Sequence, residues 1–323
     1  MKVRQFADGT DISQALVVRE AELRQRRDRD DYLRIVFGDR TGSVPAIVRD
    51  EIAEVRRLCQ VGAVVHVAGR FSVHPRFGGQ LAISGLRSVG EDEYAREELF
   101  DGPSRTPEQM EADLRELLAT IQNPHLRRLL ALVFDQGSPT WSEFRNAPAA
   151  KHYHQAYRHG LLEHSVTVAQ AVHATSMIFP GVDHDLALCG ALLHDIGKLE
   201  TYELNGEAVS MSDLGRLQGE IPLGYYRVRR AIERLDGFPA ELEQGLLHII
   251  LSHHGSLEHG SPVVPCTREA TLVHMMDNLG GRLGSFDRLE KQLAAGEQWS
   301  AYDKGIGGGA YFAAPAEQHR RAA

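Results

Sequence analysis

The sequence of 323 residues predicts a multidomain fold in which a small all-β barrel precedes a mostly α-helical domain. Short β-rich segments separated by turn signals fill residues 1–92. Helical periodicity with capping signals fills residues 107–298. A hydrophobic fraction of 42% and a charged fraction of 25% are ordinary for a soluble globular chain. The composition therefore predicts two folded domains.

The β-rich part contains four strand-like runs and one short helical pattern. Residues 32–48, YLRIVFGDRTGSVPAIV, are broken by the turn signal DRTG at 39–42. A short helix is predicted over 51–58, and AVVHVAGRFSVH and GQLAISGLRSV are further strands around Gly78 and Gly79. This order resembles an OB-fold, a small Greek-key barrel. We therefore predict an OB-fold-like nucleic-acid-binding domain over residues 1–92.

Residues 93–106 are acidic and then turn through DGPSRTP, which predicts a linker. Thr106 before Pro107 is typical of a helix N-cap followed by proline at the first helical position. The segment YELNGEAVSM predicts a small hairpin, and the Gly-rich residues 299–323 predict a flexible tail. The apolar periodicity predicts helices over 107–121, 125–135, 140–149, 161–178, 184–194, 222–235, 239–252 and 268–293.

The distribution of cysteine and of targeting signals predicts a cytoplasmic protein. The three cysteines are odd in number and form no CxxC pair, so we expect buried, reduced thiols. No apolar run is long enough to cross a bilayer, and the first residues lack the apolar core of a signal peptide. No membrane partner is expected.

Charge and histidine divide the chain unevenly. Residues 1–92 contain 15 Lys and Arg against 13 Asp and Glu, whereas the whole chain has a net charge of −8. The first part can therefore contact phosphates, and the acidic remainder can hold cations. Twelve of the sixteen histidines lie between His152 and His274. Histidine is the commonest metal ligand, so this clustering points to a metal site.

Four segments of the helical part place histidine or aspartate beside an apolar helical run. Taken alone, each segment also has an explanation without a metal. His164 can be a half-buried histidine, the His194-Asp195 pair can end a helix with a favourable dipole contact, and Asp277 can pair with Arg282. The ordered combination H…HD…D with helices between favours a divalent-metal site, which would also satisfy buried carboxylates. The segments GLLEHSVTV, ALLHDIGK, IILSHHG and ATLVHMMDNLG contribute His164, His194, Asp195, His253, His254 and Asp277.

The same segments carry a resemblance to a known family. The order His164, His194-Asp195, Asp277 resembles the HD-domain metal-dependent phosphohydrolases. The segments YHQAYRHGLLEHSVTVAQ, ALLHDIGKLETYEL, IILSHHGSLEHGSP and EATLVHMMDNLGGRL resemble the YhaM-type 3′→5′ exoribonucleases. That family also joins an N-terminal OB-fold to a C-terminal HD domain, and the resemblance covers about residues 1–295.

The resemblance implies a divalent cation, most often Mn²⁺, with Mg²⁺, Fe²⁺ or another transition metal as alternatives, and one or two ions. It implies that His164, His194, Asp195 and Asp277 hold the first ion, and that Asp195 can bridge to a second. His253 and His254 match the ligands of that second ion. Glu220 stands where the family usually has histidine, which implies either a harder donor set or a weakened second site. Gln155 and His159 also depart from the family pattern, and we expect them at the substrate rim.

Asp195 and Lys198 are the predicted catalytic residues. Phosphodiester hydrolysis needs an activated water and compensation of negative charge on the phosphate oxygens. Asp195 would orient that water, and Lys198 would neutralise the scissile phosphate; the alternative for Lys198 is a solvated lysine at a helix end. In the barrel, Arg34, Arg70, Arg76 and Phe77 are the predicted nucleic-acid contacts, whereas Phe37 and Phe71 are expected in the core.

Together these observations predict a metal-dependent 3′→5′ exoribonuclease acting on single-stranded RNA, with single-stranded DNA as a possible second substrate. The direction of degradation and a homo-oligomeric assembly come from the resemblance. One alternative is an HD phosphohydrolase of nucleotides or cyclic dinucleotides. The other is a nucleic-acid-binding protein with a degenerate metal site.

Overall fold

The computed structural model describes residues 1–25, 31–74, 78–151, 155–205, 208–293 and 297–313. These residues form two compact units. The first contains Met1–Asp101 and the described residues from Leu289 onward, and the second contains Gly102–Asn205 and Val209–Arg288. The predicted domain boundaries at 92, 106 and 298 stay a prediction.

The first unit is a closed five-stranded barrel. Its strands follow the order β1-β2-β3-β5-β4, in which only the β3–β5 pairing is parallel. A short helix, α1 (Ile52–Leu58), connects β3 to β4. This order is that of an OB-like barrel, so the predicted all-β fold is confirmed. The strands are β1 (Asp11–Gln25), β2 (Asp31–Asp39), β3 (Gly42–Val48), β4 (Val64–His74) and β5 (Gly78–Ser88).

Alternation along the strands fills the interior of the barrel. On β2 the side chains of Leu33, Ile35 and Phe37 are fully buried, since successive side chains of a strand point to opposite faces. The β4–β5 register shifts beside Gly69, where a Cβ atom would lie 2.3 Å from the Ala82 carbonyl oxygen. Glycine at this bulge therefore permits the close strand approach that bends the sheet into a barrel.

The predicted linker is partly helical. A 3₁₀ turn at Glu91–Glu93 precedes α2 (Arg96–Leu99), and Leu99 is buried. The Glu98 carbonyl accepts a hydrogen bond from the Arg40 amide at 3.1 Å. The acidic composition predicted a loop because four residues of helix carry too little periodicity to detect.

The second unit contains ten helices and one hairpin among its described residues, counting α12, which runs on past Arg288. Eight helices match the predicted ones within a few residues, and Thr106 caps α3 as predicted. The two short helices α8 and α9 escaped prediction. The helices are α3 (Pro107–Thr120), α4 (Pro124–Phe134), α5 (Pro139–Asn146), α6 (Gly160–Ser176), α7 (His184–Leu193), α8 (Lys198–Thr201), α9 (Asp213–Gln218), α10 (Glu220–Ile232), α11 (Ala240–Ser252) and α12 (Arg268–Gln292); the hairpin is β6 (Tyr202–Asn205) with β7 (Ala208–Met211).

Helix α7 is the centre of the helical core. Every residue from Ala187 to Leu193 is buried, which is the pattern of a helix surrounded by other helices. At Gly190 a Cβ atom would lie 2.6 Å from Ile249, so α7 and α11 approach closely there. Because α7 is enclosed, whatever follows its last turn also lies inside the unit. The next residues are His194 and Asp195.

Three smaller expectations meet different outcomes. Cys59 and Cys189 are buried as expected, but Cys266 is exposed, because it lies in the loop before α12. In the segment predicted as a flexible tail, Trp299 pairs with Tyr311 and Asp303 with Gly308; flexibility of 299–323 stays a prediction. Within the described part of the chain, no helix combines the length and apolarity of a membrane span.

Candidate metal centre

The centre lies where the first turns of α6 and the segments that follow α7 and α11 meet the middle of α12. His164 lies in the second turn of α6, and His194 and Asp195 follow α7 directly. His253 directly follows α11, and Asp277 lies in α12. His164, His194, Asp195 and His253 are all buried.

Four polar atoms face one another at the core of this group. The His164 Nε2 atom lies 3.2 Å from His194 Nε2, 3.2 Å from Asp195 Oδ2 and 3.1 Å from Asp277 Oδ1. The ligand atoms of His164, His194 and Asp277 all lie within 4.8 Å of one another. Single atoms from helices α6 and α12 and from the segment after α7 thus share one small space.

The other imidazole nitrogens explain this orientation. His194 Nδ1 donates to the Ala191 carbonyl at 2.7 Å, and His253 Nδ1 donates to the Ile250 carbonyl at 2.7 Å. Both histidines therefore use the carbonyl three residues earlier, at the end of their own helix. The His164 Nδ1 atom faces the Gln155 amide oxygen at 3.1 Å. Such bonds fix the tautomer and leave Nε2 as the ligand atom.

The arrangement fits a divalent cation. Since a carbonyl only accepts, His194 and His253 carry their hydrogen on Nδ1, and their Nε2 lone pairs point toward carboxylate oxygens. Asp195 Oδ1 and His253 Nε2 are buried without a hydrogen-bond partner among the described residues and lie 3.6 Å apart. Acceptors that face each other in a buried space need a cation or a proton between them. His164, His194 and Asp277 could hold such an ion.

The electrostatics keep the carboxylates ionised. Burial opposes the charge of Asp195, but Lys198 and His194 hold the pKa of its carboxyl well below the usual range. Burial likewise opposes protonation of His164, but hydrogen bonds to Asp195 and Asp277 outweigh it and raise the His164 pKa to about 9. A proton on His164 thus occupies the position that a metal ion would take.

Lys198 contacts the centre through Asp195. Its Nζ atom lies 2.6 Å from Asp195 Oδ2, and Asp195 raises the pKa of Lys198 against the effect of burial. The side chain is only 14% exposed, so the alternative of a solvated lysine at a helix end is wrong. Its ammonium charge is held inside the site.

A second, more open group lies beside the first. Asp195 turns Oδ2 toward His164 and Lys198 and Oδ1 toward His253. His254 Nε2 lies 3.5 Å from Glu220 Oε1, and both side chains are about a quarter exposed. This group is therefore more open to solvent than the first.

Gly197 brings Glu220 to this position. A Cβ atom on Gly197 would lie 2.0 Å from the Glu220 carbonyl oxygen and 2.5 Å from the Gly224 amide nitrogen. Only glycine therefore lets the segment after α7 contact the first turn of α10.

Two supporting residues were not identified as such from the sequence. Gln155, expected at the substrate rim, instead contacts His164, from a backbone with φ of 59° that no sequence pattern reveals. His274 donates from Nδ1 to the His253 carbonyl at 2.7 Å. The spacing of His274 and Asp277, three residues apart on α12, was the signal that could have found it. His159 donates from Nδ1 to the Arg145 carbonyl and precedes α6.

The predicted nucleic-acid contacts that the structure describes belong to the barrel unit. Arg34 is paired with Glu20 at 2.5 Å, across the β1–β2 pair. Arg70 is 66% exposed, with Asp11 at 3.9 Å. Arg76 and Phe77 fall outside the described residues. Phe37 is buried and Phe71 packs against the barrel core, as expected.

Comparison with known proteins finds a family model that matches part of the helical unit. Residues 161–281 match the family model of the HD domain, a range that includes every ligand candidate from His164 to Asp277. HD domains are typically metal-dependent phosphohydrolases and bind divalent metals. The second unit of this chain therefore contains an HD domain.

Two solved structures are similar to the chain at low identity. The second OB-fold domain of replication protein A from Methanococcus maripaludis is 16% identical, over 28% of this chain and 95% of that chain, with a TM-score of 0.23. RecG bound to a three-way DNA junction is 18% identical, over 39% of this chain and 19% of that chain, with a TM-score of 0.24. The OB-like character of the barrel follows from its own strand order.

Proposed function

We propose that this protein is a metal-dependent 3′→5′ exoribonuclease that hydrolyses single-stranded RNA, and to a lesser degree single-stranded DNA. The observation that carries the proposal is the convergence of His164, His194, Asp195 and Asp277, with lone pairs facing one another in a buried space. The sequence resemblance to the YhaM-type family supports the polarity and the RNA substrate.

The proposed ligands of the first ion are His164, His194, Asp195 and Asp277. Asp195, His253, His254 and Glu220 are the proposed ligands of a second. A bound divalent cation, most often Mn²⁺ in the family that this chain resembles, lowers the pKa of water and offsets charge on a phosphate. Glu220 in place of histidine gives the second set a harder oxygen donor, which favours Mn²⁺ or Mg²⁺ over softer metals.

The protein's own residues supply orientation and charge. Asp195 is held by Lys198 at 2.6 Å, so its two oxygens keep a fixed direction toward the two ligand groups. Lys198 also keeps a positive charge inside the site, where it offsets the negative charge of a phosphodiester. We propose Asp195 and Lys198 as the residues that orient water and neutralise the phosphate.

The barrel supports a polymeric substrate. OB-type barrels bind oligonucleotides, and a hydrolase of small nucleotides needs no such domain. We propose single-stranded RNA as the partner, and homo-oligomerisation from the family resemblance.

A cleavage assay tests the proposal. Incubation of 5′-labelled single-stranded RNA with the Mn²⁺-loaded protein should give a stepwise ladder that shortens from the 3′ end and disappears on chelation. A mononucleotide or cyclic dinucleotide cleaved while RNA stays intact would replace the proposal with a nucleotide phosphohydrolase. RNA binding without any metal-dependent hydrolysis would indicate a binding protein.

A further inference from the structure

A cavity of about 330 Å³ lies in the barrel unit, and neither Arg34 nor Arg70 lines it. It is bounded by the turn between β2 and β3 and by the 3₁₀ turn Val3–Gln5. Four of its six lining residues are cationic: Lys2, Arg4, Gln5, Arg40, Thr41 and Lys291 line the cavity.

The cations of this cavity differ from several others on the barrel. Arg24 is paired with Glu22 at 2.6 Å, and Arg87 with Glu93 at 2.8 Å. Over the described ranges, no carboxylate pairs with Lys2, Arg4 or Arg40, and only Lys291 has one, Asp101 at 2.6 Å. Lys2, Arg4 and Arg40 therefore keep a positive charge that no described carboxylate offsets.

The backbone around the cavity is fixed by Asp39. This buried carboxylate accepts hydrogen bonds from the Thr41 amide at 2.7 Å, the Gly42 amide at 3.1 Å and the Val3 amide at 2.8 Å. The Asp39 carboxylate is therefore hydrogen-bonded to backbone amides and does not pair with Arg4 or Arg40. The N-terminal turn is tied to the hairpin, which places Arg4 beside the β2–β3 turn.

Arg40 is held in the same way. Its amide donates to the Glu98 carbonyl at 3.1 Å, and its guanidinium donates to the Glu97 carbonyl at 3.2 Å. One of the five guanidinium N–H donors is thus used, and the others remain for a ligand. The Arg4 amide contacts the Thr41 hydroxyl at 3.3 Å, so both arginines start from an anchored backbone.

We propose that this cavity binds the phosphodiester backbone of a single-stranded nucleic acid. The lining has arginine, lysine, glutamine and threonine but no aromatic side chain, which suits phosphate oxygens and not the stacking of bases. Arginine presents a fork of donors that matches phosphate oxygens. The inference rests on the proposed function and adds to it the place where the barrel holds the strand.

The test compares two double variants of equal charge change. Arg4→Gln with Arg40→Gln removes the unpaired cations, and Arg57→Gln with Arg87→Gln removes two that face carboxylates. The substrate is a fluorescein-labelled oligouridylate of about 20 nucleotides, longer than one OB fold covers. Its hydrolysis by Mn²⁺-loaded protein is measured across KCl concentrations, beside that of bis(p-nitrophenyl) phosphate.

For the Arg4 and Arg40 variant, we expect the kcat/KM ratio of RNA to the small diester to fall roughly tenfold at about 0.1 M salt. The slope of log KM against log salt should decrease by about 1.4, since each phosphate contact on a single strand contributes about 0.7. The control should keep the wild-type slope. All four side chains are exposed, so equal thermal midpoints will show that the variants fold.

An unchanged slope in the Arg4 and Arg40 variant, or an equal change in the control, overturns the site but leaves the proposed function intact. A wild-type protein that cleaves the small diester but not RNA overturns the proposed function. In that case fluorescence anisotropy of the same RNA decides the site. A salt slope that depends on Arg4 and Arg40 supports it, and failure to bind overturns it.

Discussion

The two proposed ligand groups around Asp195 differ in how far they are open to solvent. In the first group, His164 and His194 are buried. The His164 Nδ1 atom faces the Gln155 amide oxygen, and the His194 Nδ1 atom donates to the Ala191 carbonyl. In the second, His253 is buried, but His254 and Glu220 are partly exposed and 3.5 Å apart. A closed group holds an ion against water, whereas an open one exchanges it. The contrast predicts unequal affinity for two ions.

The largest expected effect separates the two groups. His194→Ala should lower hydrolysis of bis(p-nitrophenyl) phosphate at least about a thousandfold, because a metal ion contributes about 4 kcal/mol or more to such transition states. Glu220→Gln should cost roughly tenfold and remove only the weaker class of Mn²⁺, since it keeps the shape but loses the charge. Kinetics and Mn²⁺ content per chain measure both.

The variant His194→Gln preserves more of the buried volume. It therefore shows whether the loss of activity in His194→Ala comes from a folding defect. His66→Ala, on barrel strand β4, is the matched control and should keep full activity on the small diester. Equal losses from His194→Ala and Glu220→Gln would mean that the two groups act as one site.

A smaller effect is expected from the support of the first group. Gln155→Leu removes the oxygen that faces His164 Nδ1 and leaves the His164 ring free to turn. Loss of such a support typically lowers metal affinity by about 10- to 100-fold. Titration of the metal-free protein with Mn²⁺ by calorimetry measures the change. Wild-type affinity in this variant would show that the helix alone orients His164.

The last expected effect is a gradual dependence on pH, which is small over any single pH unit. Mn²⁺ must displace the proton that the raised pKa of about 9 places on His164, so its affinity should rise up to about tenfold per pH unit and level off near pH 9. In the metal-free protein, the same shift stabilises the fold below about pH 6.5. That contribution is lost as the pH rises through about 9.

Mn²⁺ titrations at several pH values measure whether the metal affinity rises with pH. Urea unfolding of the chelated protein measures whether its stability falls as the pH rises. The His164→Asn variant supplies the control, because it has no imidazole to protonate and its affinity should change less with pH. An affinity for Mn²⁺ that does not change with pH below 9 would contradict the proton on His164.

The two fold classes and the candidate residues of the metal centre could be predicted from the sequence. Helical periodicity, the Thr106 cap and the β-rich runs are local, because each depends on neighbours within a few residues. The segments carrying His164, His194 and Asp277 were found in the same way, since each stands beside an apolar helical run. The combination H…HD…D then indicated a shared site.

Tertiary structure decided what those residues face. The direction of each imidazole depends on carbonyls and amides such as Gln155, whose backbone conformation has no local signal. Whether an arginine is available depends on a partner in another strand: Arg34 is paired with Glu20, while Arg4 and Arg40 meet across a turn held by Asp39. Sequence patterns record local spacing, but charge pairing and ligand geometry arise between residues that only folding brings together.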